Sequence, residues 1–226
     1  MSEKPVFNFR KIIIFSVLTI IILFAISAYG WVTIPDGQQI PVHWGVNGEV
    51  DRYGGKAEGL LLIPGIGVLL TLLLAFLPRI DPRRANLAQS QKSYIAIWGG
   101  TLALLLVVQI LIVSAALGNP VDIGGIIPVA VGILFIVIGN YLPKTRSNFY
   151  MGVRTPWTLS SNLSWDKTHR LAGRLFILMG LIMIGSVFIQ GALWVWLMMG
   201  GLIAMLIALM AYSYIVWKDD PNRQET

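Results

Sequence analysis

The 226-residue chain contains no cysteine. That absence removes disulfide frameworks, thiolate metal sites and cysteine nucleophiles from consideration. Charge is scarce too: Asp, Glu, Lys and Arg make up 12% of the residues, about half the share in a soluble domain. Histidine occurs twice, as His43 and His169. No P-loop, nucleophile elbow, HExxH or dinucleotide fingerprint is present, and no inverted repeat of the transporter kind stands out.

Long apolar runs fill the chain instead. Hydrophobic residues make up 56%, and mean hydropathy is +0.73. Crossing a bilayer core takes about 20 helical residues, and six stretches qualify: Ile12–Trp31, Leu60–Leu77, Tyr94–Leu117, Gly124–Tyr141, Leu171–Gln190 and Leu193–Trp217. The second and fourth are short and are predicted to need tilt or local thinning. Trp31, Tyr94, Trp98, Tyr141, Trp194, Trp196 and Trp217 lie near the ends, as an interfacial belt would. No Asp, Glu, Lys or Arg falls near mid-span, where the main polar residues are Thr19, Thr71, Gln109, Ser114 and Gln190, with Asn140 at an edge. Ion and proton routes are usually marked by ionisable groups in the membrane, so a coupled pump or exchanger is disfavoured.

The net charge of +6 is explained by topology. Of the seventeen Lys and Arg, only Arg52 and Lys56 lie on one side of the six spans, and the other fifteen lie on the opposite side with both termini. The positive-inside rule places that basic side and both termini in the cytoplasm, with no need of nucleic acid as a partner. Lys4, Arg10 and Lys11 followed by an apolar run and "AISA" could form a signal peptide cut after Ser27. The run continues to Trp31, which favours a retained helix.

Two polar segments interrupt the apolar pattern. The outer one, "IPVHWGVNGEVDRYGGK" at 40–56, follows a Pro35-Asp36-Gly37 turn. Asn47-Gly48 is a strong hairpin signal and "RYGGK" reads as a second turn. His43, Glu49 and Asp51 match no zinc or EF-hand spacing, so no metal is expected. Glu49, Asp51 and Arg52 read as a local charge cluster. The preferred reading is a recognition surface of His43, Trp44, Asn47, Gly48, Asp51 and Lys56 on a rigid turn.

The inner segment runs from Gly139 to Arg174. Pro143 ends span four, and Thr155-Pro156 starts a short "PWTLS" turn. Ser164 is predicted to cap the next helix, with Asp166 in its first turn, and that helix runs straight into span five. Asp166 and Arg170 are spaced to pair, Lys167, Arg170 and Arg174 form a basic stripe, and Trp165, His169 and Gly173 share another face. Taken singly, Trp157 and Trp165 read as interfacial anchors and His169 as a hydrogen-bonded helix-end residue. His43 and His169 lie on opposite sides and cannot share a metal or a triad.

"GNYLPKTRSNFYMGVRTPWTLSSNLSWDKTHRLAG" resembles the signature of the SdpI family of bacterial membrane proteins. The matching positions are Gly139, Asn140, Pro143, Lys144, Asn148, Gly152, Arg154, Thr155, Pro156, Trp157, Thr158, Leu159, Trp165, Thr168, His169 and Gly173. The outer segment is similar to the small uncharacterised N-terminal domain found in many such proteins. The resemblance implies an all-α membrane protein with six transmembrane helices and cytoplasmic termini. It implies a two-helix unit, 1–80, with an extracellular hairpin-like loop at 32–59, and a four-helix unit, 81–226, with a structured cytoplasmic loop at 139–174.

It also implies a multi-pass protein of the bacterial inner membrane that is not an enzyme and holds no cofactor. Such a protein would confer immunity to a secreted toxic peptide met at the outer loop. It would use the inner motif to recruit a transcriptional repressor or to stabilise the fold, with membrane lipids around it. Two alternatives stay open: a lipid-handling protein or enzyme using Arg154, Thr168 and His169 on a headgroup phosphate, and a non-enzymatic scaffold.

Overall fold

The computed structural model describes residues 7–45, 48–188 and 192–224. Helix α1 spans Arg10–Thr33 and is followed by a hairpin of β1 (Ile40–Trp44) and β2 (Val50–Gly54). Then come α2 (Lys56–Ile80), the short α3 (Arg84–Gln89), α4 (Gln91–Ala116) and α5 (Ile123–Tyr141). A 3-10 turn at Leu142–Lys144 leads to the short α6 (Pro156–Ser160), α7 (Asn162–Gly185) and α8 (Ala192–Lys218). Six of these helices are long and apolar enough to cross a membrane, as expected: α1, α2, α4, α5, α7 and α8.

The boundaries correct two expectations. The second span is not short, because α2 has 25 residues and continues through Pro64 and Pro78. At about 1.5 Å per residue it is long enough to cross without thinning. The cap of α7 is Ser161 rather than Ser164: Ser161 Oγ accepts from the Ser164 N–H at 2.9 Å, so the helix starts at Asn162.

The prolines of α2 decide how α1, α2 and α4 pack. A helical carbonyl accepts from the N–H four residues on, and proline has none. Pro64 and Pro78 therefore leave the carbonyls of Leu60 and Leu74 without their helical donors. Each is answered from a neighbouring helix. Ser27 Oγ on α1 donates to the Leu60 carbonyl at 2.6 Å, and Gln109 on α4 reaches both Ser27 Oγ, at 3.0 Å, and the same carbonyl, at 3.4 Å. The Tyr94 hydroxyl on α4 donates to the Leu74 carbonyl at 2.7 Å. Gln109 is fully buried, where no water offers an alternative partner.

That geometry corrects the belt assignment for two aromatics. Tyr94 and Trp98 are buried in a cluster with Ile12, Leu87, Leu102 and Met151. Their rings meet edge to face at 6.2 Å, and Phe7 and Phe9 pack on them. Trp31 and Trp196 do face outward.

Helices α5 and α7 approach more closely than side chains allow. A Cβ on Gly139 would meet the Gly173 carbonyl at 2.6 Å, and one on Gly173 would meet the Gly139 carbonyl at 2.6 Å. Two turns along, Gly132 and Gly180 face each other at 2.7 and 2.5 Å by the same measure. Small residues that let backbones touch are a common membrane helix seam. Pro143 sits directly on Gly173, so the motif loop leaves α5 against α7.

Gln109→Leu is expected to lower stability by about 1 kcal/mol, since it leaves the Leu60 carbonyl half-answered. The same substitution in a Pro64→Ala background is expected to cost less, because residue 64 then supplies an N–H. Thermal melting of the four proteins in detergent measures this coupling; equal losses in both backgrounds would refute it.

Candidate functional site

Polar side chains gather at the two ends of the bundle, separated by the length of α2, about 37 Å. At the first end the hairpin is tied down rather than free. Gly45 N–H donates to the Glu49 carbonyl at 2.9 Å, and Gly48 rests on Gly124 at the start of α5. Asn47 lies outside the described residues. "RYGGK" is not a second turn: Arg52, Tyr53 and Gly54 belong to β2, and Gly55 is the N-cap of α2.

The expected cluster of Glu49, Asp51 and Arg52 resolves into separate ties. His43 Nδ1 lies 2.6 Å from Asp51 Oδ1, and Arg52 pairs with Glu58 on α2 at 2.6 Å. Lys56 pairs with Asp36 at 2.6 Å and also donates to the Trp31 carbonyl at 3.1 Å, closing the end of α1. The Lys56 ammonium holds the Asp36 carboxyl below its ordinary value. That tie therefore contributes at neutral pH and is lost as acid protonates the carboxylate. Gln38 donates to the Ala116 carbonyl at 2.6 Å, fastening the strand to the end of α4.

Beneath the hairpin lies an apolar cavity of about 300 Å3 between α2, α4 and α5. Val42, His43 and Trp44 form its lid, Ile63, Ile112 and Ile127 are among its walls, and Glu58 stands beside His43 in the lining. Trp44 also lines a wetter recess of about 530 Å3 with Gln38, Glu49 and Asn119. Of the expected surface residues, His43, Trp44 and Gly48 thus reach a cavity. Asp51 orients His43, and Lys56 is held inward.

The second end is built in the opposite sense: most of the motif is buried. Trp165 is inside, not interfacial; its indole N–H donates to the Thr145 carbonyl at 2.9 Å, and its ring stacks on His169 at 4.0 Å. His169 Nε2 accepts from the Val153 N–H at 3.0 Å, so the ring proton sits on Nδ1 and donates to the Trp165 carbonyl at 2.8 Å. Gly152 has φ +112, and any side chain there would strike the His169 ring. Asn148, fully buried, accepts from the N–H groups of Tyr150 and Met151 and donates to the Arg146 and Met151 carbonyls.

Thr155 caps α6 by accepting from the Thr158 N–H at 3.1 Å, while Thr158 Oγ1 takes the Thr155 N–H at 2.9 Å. Pro156 follows as the first helical residue. Thr168 is fully buried, and its hydroxyl has no hydrogen-bond partner among the described residues. Trp157 is half-buried, edge-on to Tyr214 at 5.2 Å. Arg154 is exposed and donates to the Phe149 carbonyl. Asn140, Pro143 and Lys144 stay on the surface. Asp166 and Arg170 do not pair; both line a shallow recess beside Lys144.

The partners that hold this motif lie outside it. Asp81 accepts from the N–H groups of Arg83, at 2.6 Å, and Phe149, at 3.2 Å. Arg83 donates to Ser147 and to the Leu159 carbonyl, and Asn86 to the Ser147 carbonyl. Ser90 takes the Arg146 N–H at 2.8 Å. From the C-terminal side, Asp220 accepts from Ser161 at 2.5 Å, the Ser213 carbonyl accepts from Ser164, and Ser213 Oγ accepts from Thr155. Hydrogen bonds from Ser161 and the Asn222 N–H hold the Asp220 carboxyl below its ordinary value. The sequence reading missed these residues. The available signal was Asp-Pro, at 81–82 and 220–221, a turn-initiating pair in both places.

The fold and its two ends define a multi-pass α-helical membrane protein with a strapped hairpin at one end and a riveted loop at the other. The SdpI/YfhL protein family matches residues 144–213, and a domain of unknown function, DUF1648, matches residues 18–68. The chain thus carries the SdpI-family segment that its motif resembles. It is 25% identical over 207 residues to the immunity protein SdpI of Bacillus subtilis (strain 168), across 91% of this chain and 95% of that protein. No solved structure matches it.

Gly152→Ala is expected to destabilise the protein by about 1–3 kcal/mol, through backbone strain and loss of the Val153–His169 bond. A fall in melting temperature larger than that of Gly118→Ala, a loop glycine also at positive φ but with open space around it, would verify the specific role of the His169 contact.

Proposed function

We propose that this protein is an immunity protein of the bacterial cell membrane that protects its producer from a secreted toxic peptide. The observation that carries the reading is the likeness to an immunity protein across nine-tenths of both chains, through the hairpin and the motif alike. The charge distribution supports an outward-facing hairpin. On that side, His43 and Trp44 supply an aromatic rim over a largely apolar cavity, the arrangement that anchors hot-spot side chains of a partner. Asp51 acts through His43, and Gly48 sets the close approach of the hairpin to the start of α5. Lys56 holds the strap.

The role of the inner motif is to set the ends of α5, α7 and α8, and no enzymatic step is assigned to it. Thr168 and His169 are sealed away from Arg154, which speaks against the lipid-enzyme alternative. Recruitment of a cytoplasmic transcriptional repressor would use the exposed rim, Arg154 with the half-buried Trp157.

Survival of a toxin-sensitive Gram-positive host expressing the chain, titrated with an Sdp-type toxic peptide, tests the reading. The parent is expected to protect. Ala at His43, Trp44 and Asp51 together is expected to lower the tolerated peptide concentration about tenfold, a loss of ~1.4 kcal/mol, at equal membrane abundance. An unprotected host with abundant parent protein would reject the function for that peptide, and undiminished protection by the triple variant would remove the hairpin from it.

The cysteine-free chain also permits a direct test of orientation. Gln39→Cys is expected to react with an impermeant maleimide on intact cells, and Gln89→Cys only after lysis; the reverse pattern would turn the protein over.

A further inference from the structure

The Leu142–Lys144 turn, the two residues after it and the first turns of α7 line a shallow polar recess of about 240 Å3. Pro143, Lys144, Thr145, Arg146, Asp166 and Arg170 line it. Three cations and one carboxylate share this space, and no ion pair joins them. Both signs of charge are therefore available to a ligand.

The lining is held in place from behind. Lys144 lies over the Tyr141 ring at 4.9 Å and reaches Asn140 Oδ1 at 3.5 Å. The Arg146 N–H is fixed on Ser90 Oγ at 2.8 Å. Thr145 uses its hydroxyl on the Leu142 carbonyl and its own carbonyl on the Trp165 indole. The depth is also defined. Tyr141 ends α5, and on α7 the uninterrupted apolar run begins after Arg174, one turn beyond Arg170, so the recess falls at the level of lipid headgroups.

The chemistry of the lining is selective. A phosphate suits Arg and Lys, but a headgroup carrying only negative charge would also meet the Asp166 carboxylate. A choline headgroup carries a cation with no N–H to donate. A primary ammonium attached to the phosphate meets both demands. From this we infer that the recess binds the phosphoethanolamine headgroup of a membrane phospholipid. Lys144, Arg146 and Arg170 hold the phosphate oxygens, and Asp166 accepts from the ammonium. This site lies on a different surface from the hairpin and does not depend on the immunity reading.

The test is native mass spectrometry of the full-length protein in detergent, titrated with phosphatidylethanolamine, phosphatidylglycerol and phosphatidylcholine of matched acyl chains. Phosphatidylethanolamine is expected to bind about threefold more tightly than either other lipid, the scale of one exposed charge pair. Lys144→Gln with Arg170→Gln is expected to weaken all three about tenfold, as two charge-assisted contacts are lost. Asp166→Asn is expected to erase the ethanolamine preference while phosphatidylglycerol binding holds or rises. All of these side chains are exposed, so parental melting temperatures are expected and serve as the folding control.

Equal affinity for phosphatidylethanolamine and phosphatidylcholine, tighter binding of phosphatidylglycerol by the parent, or a double variant that binds as the parent does would each overturn the assignment. Soluble phosphoethanolamine that displaces the lipid at equal concentration would make the ligand a soluble phosphate and overturn the lipid source; failure to displace it supports the lipid.

Discussion

A backbone carbonyl inside a bilayer has no water to fall back on, and this constraint organises the N-terminal half of the molecule. Pro64 and Pro78 interrupt the hydrogen-bond ladder of α2, and each interruption is met by a polar side chain of a neighbour. Ser27, Gln109 and Tyr94 are therefore placed by the backbone chemistry of another helix. Their bonds fix the register of α1 and α4 on α2, where uniform apolar surface would leave sliding nearly free. The stretch of α2 ahead of Pro64 carries the strap that ties down the hairpin, through Glu58 and Lys56.

The C-terminal half uses a different device. Glycine pairs at 139/173 and 132/180 bring α5 and α7 to backbone contact, which leaves no room for side chains in the seam. The motif loop has to go somewhere else. It folds over the helix ends, where the two Asp-Pro turns clamp it from α2 and from the end of α8. Polar residues with the look of an active site are thus consumed in satisfying one another. A buried histidine with both nitrogens occupied and a tryptophan stacked on it is a packing element.

The two ends consequently offer different chemistry to partners. The hairpin end presents an aromatic rim over a largely apolar cavity, suited to an apolar segment of a partner. The motif end hides its hydrogen-bonding groups and exposes a charged recess lined by Lys144, Arg146, Asp166 and Arg170. Immunity and lipid recognition, as proposed above, occupy separate surfaces joined by the rigid length of α2.

Six spans, the hairpin, the Thr155 cap and the continuous helix through Trp165 and His169 were legible in the sequence. Each depends on near neighbours along the chain: apolar length, turn residues, and a hydroxyl beside its own helix start. The 25-residue α2 was not, because proline reads as a helix end until the donors that replace its N–H are known, and those sit on other helices. Nor were the inward Tyr94, Trp98 and Trp165, since an aromatic near a span end looks the same whether it meets headgroups or a folded loop. The membrane class and the polar segments were thus determined by sequence alone. Which of those polar groups stay free to act was decided by tertiary structure, because a hydrogen bond formed across dozens of residues leaves no local trace.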